Sequence, residues 1–110
     1  MLKAHPLTFG EWIDALAATK GEAPAFFESD TAVSYHDLAL RSRRLASGFA
    51  KLGVRQGDRI AVWLPNVTAW IEILIACGRI GAIVVALNTR FRSGEVSDIL
   101  HRSGARLLIY

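Results

Sequence analysis

One polar segment at a strand end could do chemistry: Asn88-Thr89-Arg90-Phe91-Arg92, which directly follows the apolar run Ile83 to Leu87. In open parallel sheets, ligands bind beyond the carboxyl ends of the strands, where loops from neighbouring units converge. Arg90 and Arg92 can each meet a phosphate or carboxylate there. Without a ligand, the same residues read as a solvated surface loop. Other routes to an active site come up short. No G-x-G-x-x-G follows a strand, because the turn after Ile60 to Leu64 is Leu64-Pro65-Asn66, whose side chains hinder close approach of a pyrophosphate. Gly48 and Gly53 have the glycine spacing of a phosphate loop, but Val54-Arg55 stands where Lys and Ser or Thr would be needed. His5, His36 and His101 share no metal-ligand spacing with one another or with Cys77. Ser47-Gly48 and Ser103-Gly104 lack a nucleophile-elbow context, and no paired carboxylates stand out.

The elements that must hold the polar loop are organised around Gly57 to Leu87. Ile60 to Leu64 and Ile83 to Leu87 are short Val- and Ile-rich runs, the pattern of strands covered on both faces. Between them Val67 to Ile80 carries only Glu72 and Arg79 as charges, which predicts a helix enclosed on most of its circumference. A strand-helix-strand unit of this length joins parallel neighbours by a right-handed crossover. Upstream, Thr8 with Glu11 makes a capping box, Leu7 can staple onto Trp12, and Phe9, Trp12, Ile13, Leu16 and Ala17 form an apolar stripe. Ser34 caps a longer helix with Leu38, Ser42, Leu45, Phe49 and Leu52 inward; Gly53 ends it and Val54 covers its last turn. Ser93 caps a shorter helix with Val96, Ile99 and Leu100 inward. The expected order is helix 9–20, hairpin 25–33, helix 35–52, strand 59–64, helix 67–80, strand 83–87, helix 94–103 and strand 105–110. That is a three-layer α/β fold, a mostly parallel sheet with flanking helices.

Bulk properties bound the function. The apolar fraction of 52% is high for 110 residues and implies surplus apolar surface, either an interface or the raw side of a larger protein. The chain ends in an apolar strand pattern, ARLLIY, with no helix after it to cover that strand; the expectation is a truncated domain. A net charge of +3 with dispersed acidic residues does not call for nucleic acid. Arg41, Arg43 and Arg44 read as the solvated face of a helix without an aromatic platform. The single Cys77 excludes an internal disulfide framework and fits a reducing cytosol. Pro65, Asn66, Glu72 and Arg79 interrupt the only candidate membrane span, and MLKAHPLTFGEW lacks a signal-peptide core, so the expected location is cytoplasmic.

Taken together, Ser34-Tyr35 with Leu38, Arg44-Leu45-Ala46, Gly53-Val54, Gly57-Asp58-Arg59, Leu64-Pro65-Asn66, Ala76, Arg79-Ile80-Gly81-Ala82, Asn88 and Ala105-Arg106-Leu107 resemble the N-terminal portion of the adenylate-forming enzymes. That superfamily contains acyl-CoA synthetases, adenylation domains of nonribosomal peptide synthetases, and luciferases. Two positions depart from its pattern: Ser34 stands where Thr is commoner, and Ala86 where many members have Pro. The wording Val-Ala-Leu-Asn-Thr-Arg-Phe is more similar to synthetases acting on fatty or other carboxylic acids than to the amino-acid-activating branch.

The resemblance implies a two-step ligase. A carboxylate attacks the α-phosphate of ATP with magnesium present, giving an acyl-adenylate and pyrophosphate, and the thiol of coenzyme A then displaces AMP. The glycine- and Ser/Thr-rich phosphate loop, the nucleotide contacts and the catalytic lysine of such enzymes match nothing in this chain, so no catalytic or metal residue and no bound cofactor is assigned within it. By position, Asn88, Thr89 and Arg90 match the loop lying near the coenzyme A channel of related synthetases. The expected partner is the remainder of the parent ligase, or a second copy through exposed apolar surface. The alternative is a non-enzymatic α/β interaction module that binds through an apolar sheet edge.

Overall fold

The computed structural model describes residues 8–65 and 67–110. Helix α1 (Phe9–Lys20) starts where the sequence predicts: the Thr8 hydroxyl accepts from the Glu11 amide at 3.1 Å and the Glu11 carboxylate accepts from the Thr8 amide at 3.5 Å. The stapling partner Leu7 lies outside the described residues. A hairpin follows, β1 (Pro24–Glu28) against β2 (Thr31–Ser34), antiparallel. Ser29 turns it with a φ of 53°. Helix α2 (Tyr35–Lys51) is capped by the Ser34 hydroxyl, which accepts from the Asp37 amide at 3.0 Å.

The exit of α2 is a Schellman turn. Gly53 takes a φ of 89°, the Val54 amide donates to Phe49 and the Gly53 amide to Ala50, and Val54 is buried over the last turn. Strand β3 (Arg59–Val62) begins shortly after. Helix α3 (Ala69–Ile80) leaves through left-handed Gly81 with the Ala82 amide on Cys77, delivering the chain to β4 (Ile83–Ala86). Helix α4 (Ser93–Ser103) repeats the pattern into β5 (Leu107–Ile109). One local device thus aims three helices back at the same edge of one sheet.

That sheet runs β4-β3-β5, with both pairs parallel, and Ile60 lies opposite Val84 on one side and Leu107 on the other. Ile60 and Val62 turn to one face and pack under Ala46, Phe49, Ile73, Ala76 and Cys77 of α2 and α3. Ala61 turns to the other face, against Leu87 and Val96 of the α4 layer. The alternation is why a four-residue strand can be buried on both sides. A third cluster, Ile13, Val33, Leu38, Ala39 and Ile75, attaches α1 and the hairpin to the back of α2 and α3. The expected three-layer α/β arrangement around a parallel sheet is present.

Several local expectations differ. Strand β3 stops at Val62 rather than 64 because the parallel ladder ends where β4 and β5 end, and β5 spans only Leu107–Ile109. Arg92, not Ser93, is the N-cap of α4; the Glu95 carboxylate accepts from the Arg92 amide at 3.3 Å. Leu52 is 62% exposed because the Schellman turn points Val54 inward in its place. Of the expected apolar stripe on α1, Ile13 is fully buried, while Phe9 and Trp12 stay half exposed. Helix α3 is not enclosed all round: Ile71 and Leu74 face outward. The final strand is partly covered, with Leu107 and Ile109 against the α2/α3 cluster and Leu108 against the α4 cluster.

Three helices meet at one polar junction. Arg79 of α3, whose side chain is 12% exposed, grips both carboxylate oxygens of Asp14 on α1 at 3.0 and 2.9 Å. Its Nε donates to the buried Ser42 hydroxyl on α2 at 3.1 Å, and Ser42 in turn donates to the Ala39 carbonyl. Arg43 adds a second cation to Asp14 at 2.8 Å. The Arg79 hydrogen bonds lower the Asp14 pKa from its usual 3.8, against the raising effect of partial burial and with help from the Arg79 and Arg43 charges. Two of the three helix-face arginines are therefore engaged: Arg43 holds α1, and Arg41 reaches Glu72 of α3 at 3.3 Å.

The junction predicts an asymmetry. Asp14→Ala strands a nearly buried guanidinium and is expected to cost roughly 2–3 kcal/mol, below the ~3–5 kcal/mol of a fully buried pair because Asp14 is a third exposed. Arg79→Met leaves Asp14 with Arg43 and is expected to cost only about 1 kcal/mol; urea melts showing the reverse order would refute the assignment. Because the folded pKa is depressed, the stabilisation is complete above about pH 4 and is lost as pH falls through the folded value, so the gap between wild type and Asp14→Ala should narrow in acid. Cys77 is 1% exposed and its thiol is pushed up to about 11 by burial. It should resist a thiol reagent at pH 8 until denaturant is added; rapid stoichiometric labelling of native protein would contradict this burial.

Candidate functional site at the carboxyl edge of the sheet

The polar loop is anchored from both sides. Phe91 packs against the α4-side cluster of Ala61, Leu87 and Val96, while the flanking Arg90 and Arg92 are left exposed. Asn88 folds the loop on itself: its side-chain oxygen accepts from the Arg90 amide at 2.9 Å, an Asx turn, and its carbonyl accepts from the Phe91 amide at 3.0 Å. Among the described residues neither Arg90 nor Arg92 makes an ion pair, whereas Arg41, Arg43, Arg79, Arg102 and Arg106 all do. Two uncompensated guanidinium groups beside an exposed threonine form a surface suited to oxyanions.

Trp63 was not singled out from the sequence, yet it ties the edge together. Its indole N–H donates to the Asn88 carbonyl at 3.0 Å, while its backbone N–H donates to the Ile109 carbonyl at 2.8 Å. One residue just past β3 thereby fixes the exits of β4 and β5. Trp70 of α3 donates to the Leu64 carbonyl at 3.1 Å and holds the chain leaving β3. Asn66 of the expected Leu64-Pro65-Asn66 turn lies outside the described residues. The available signal was an indole at the polar end of an otherwise aliphatic strand, where a ring N–H needs a partner. Among the described residues no group of three or more His, Cys, Asp or Glu could hold a metal ion. His36 lies exposed, 3.7 Å from Asp37 and remote in sequence from the loop.

A parallel sheet flanked by helices, with a polar loop at its carboxyl edge, is the arrangement of the open α/β folds. Residues 13–110 match the family described as AMP-binding enzyme, and the chain belongs to that family, as a piece of its N-terminal part. It is 42% identical over 101 residues to a feruloyl-CoA synthase of Amycolatopsis, covering 92% of this chain and 21% of the relative. It is 40% identical over 90 residues to a 2,3-dihydroxybenzoate-AMP ligase of Bacillus subtilis, covering 82% of this chain and 17% of the relative. Among solved structures, a Mycobacterium tuberculosis fatty acyl CoA synthetase superposes with a TM-score of 0.88 at 30% identity, over 94% of this chain and 21% of that one. The N-terminal domain of FACL13 from the same organism superposes with a TM-score of 0.89 at 29% identity, over 94% of this chain and 27% of that one. The chain thus spans about a fifth of the length of the curated relatives it matches.

The anchoring of the loop can be tested directly. Trp63→Phe keeps the ring and deletes the donor, and should cost about 1 kcal/mol or less while speeding amide exchange of Arg90 and Phe91. Unchanged exchange at those two amides would mean that Trp63 does not set the loop.

Proposed function

We propose that this chain is the N-terminal part of an ATP-dependent, AMP-forming acid–CoA ligase, in which it acts as a scaffold and presents the Asn88-Thr89-Arg90 loop to coenzyme A. The observation that carries the reading is the continuous family match over residues 13–110, together with relatives named as CoA synthases and acyl-CoA ligases. The reaction they suggest is activation. A carboxylate is a poor acceptor for a thiol at neutral pH, and adenylation converts one of its oxygens into a leaving group.

The loop suits coenzyme A by its donor set. Arg90 supplies an exposed guanidinium able to pair with a phosphate, and Thr89 supplies a hydroxyl at the same turn. We assign no ATP or magnesium contact to this chain, since no glycine-rich phosphate loop follows any of its strands. Those contacts belong to the rest of the ligase, and we assign this piece no activity alone. The relatives' names include feruloyl, 2,3-dihydroxybenzoate and medium-chain acyl groups, so the substrate class we assign is carboxylic acids, fatty acids among them. Among the described residues no helix is long and apolar enough to cross a membrane, and a lone buried thiol suits the cytoplasm, where we place the enzyme.

The test uses the 110-residue chain alone and a chimera in which it replaces the matching segment of the Amycolatopsis feruloyl-CoA synthase. The chain alone should show no ATP–pyrophosphate exchange with ferulate, 2,3-dihydroxybenzoate or octanoate. The chimera should form feruloyl-CoA, and Arg90→Ala within it should raise the KM for coenzyme A several-fold without slowing the exchange half-reaction. Exchange by the chain alone, or a folded chimera without ligase activity, would overturn the reading. An unchanged KM would remove Arg90 from the coenzyme A side.

A further inference from the structure

Two consecutive residues tie the polar loop to the strand beside it. The Leu87 amide donates to the Val62 carbonyl at 2.9 Å where the ladder ends, and one residue further on the Asn88 carbonyl accepts the indole N–H of Trp63 at 3.0 Å. The next hydrogen bonds stay within the loop: the Asn88 side-chain oxygen takes the Arg90 amide at 2.9 Å, and the Asn88 carbonyl also takes the Phe91 amide at 3.0 Å. Both oxygens of Asn88 are thus committed inside the fold. What the turn offers outward is the Thr89 hydroxyl and the Arg90 guanidinium, on two exposed residues. Because its internal bonds close on themselves, the turn of residues 88–91 can swing as one piece about the link to Leu87. Packing of Phe91 against Ala61, Leu87 and Val96 opposes that swing without fixing its angle, since apolar contact is non-directional. The indole bond fixes the angle.

We propose that Trp63 is a positioning residue for the thiol-transfer half-reaction: its indole N–H, through the Asn88 carbonyl, holds Arg90 where a phosphate of coenzyme A meets it. The inference rests on the reading of this loop as the coenzyme A side and adds to it the residue that sets the loop's geometry. Trp63 is not itself a ligand contact. Its ring is taken up by the Ala61, Leu87 and Val96 cluster, and its one donor by the Asn88 carbonyl. Asn88 belongs to the same device: its side chain orients the Arg90 amide instead of reaching a ligand. Deleting one neutral hydrogen bond lowers the share of loop held in the binding geometry, and apparent affinity falls with that share. Adenylation uses no contact on this loop, so the effect is confined to the second substrate.

The experiment uses the feruloyl-CoA synthase chimera and steady-state kinetics in each of its three substrates. Trp63→Phe keeps a ring in the cluster and removes the donor, and Trp63→Leu serves as a second donorless variant. Either should raise the KM for coenzyme A about three- to tenfold, with the KM values for ATP and ferulate within about twofold of the parent. Asn88→Ala, a change at an exposed residue, should give the same split. Combining Trp63→Phe with Arg90→Ala should give the KM of Arg90→Ala alone, because a residue that acts through Arg90 then has nothing left to position. Multiplying effects in that double variant would overturn the proposal, as would parallel rises in all three KM values. Loss of folding in both Trp63 variants would make the residue purely structural and overturn it too. An active chimera whose KM for coenzyme A ignores Trp63→Phe sinks this inference alone; a folded chimera that makes no feruloyl-CoA sinks the functional reading and this inference with it.

Discussion

The bidentate contact between Arg79 and Asp14 is the constraint on which the helical layer depends. Helices α1, α2 and α3 are short and would be marginal as isolated peptides, so their relative placement has to come from tertiary contacts. Hydrophobic burial supplies most of the stabilisation but is non-directional, and the cluster of Ile13, Leu38, Ala39 and Ile75 would tolerate small rotations of one helix over another. The guanidinium fork does not: it fixes Asp14, Ser42 and the Ala39 carbonyl at hydrogen-bonding distance in one geometry. Gly10 shows how close the fit is, since an added Cβ would lie 2.7 Å from Arg79 Cγ. Helix α1 can cross Arg79 only because that position has no side chain.

Much of the architecture was legible because local chemistry and burial agree. Thr8 and Ser34 are caps by side-chain type; Gly53, Gly81 and Gly104 end helices; and Val-Ile runs with charges only at their flanks become parallel strands. What sequence reading missed was directional. Helical periodicity showed Arg79 and Glu72 as the two charges of an apolar helix, but a period carries no information on which neighbour supplies the counter-charge sixty-five residues away. For the same reason Arg41 and Arg43 read as solvated, although each reaches across to another helix. Phe9 and Trp12 were expected inside because aromatic residues at helical spacing usually are; here the helix rolls so that Ile13 takes the buried position.

The loop at the carboxyl edge was legible in position but not in construction. A polar run after an apolar strand identifies where an open sheet places its ligand loops. It does not reveal that Trp63, just past the neighbouring strand, clamps the Asn88 carbonyl, since that contact spans the crossover. The Asx turn of Asn88 is local and could have been anticipated from its side chain two residues before Arg90.

The glycine exits of α2, α3 and α4 make the two ends of the sheet mechanically unequal. At the amino edge the chain re-enters each strand through a turn with a required left-handed residue and reciprocal amide bonds, so an inserted residue there would throw the following strand out of register and invert its faces. At the carboxyl edge the connections, residues 63–68 and 87–92, contain no glycine and are held by a few indole and amide contacts. Sequence change can accumulate there without disturbing the ladder. A lineage built on this frame is therefore free to vary that edge while keeping unchanged how it stands.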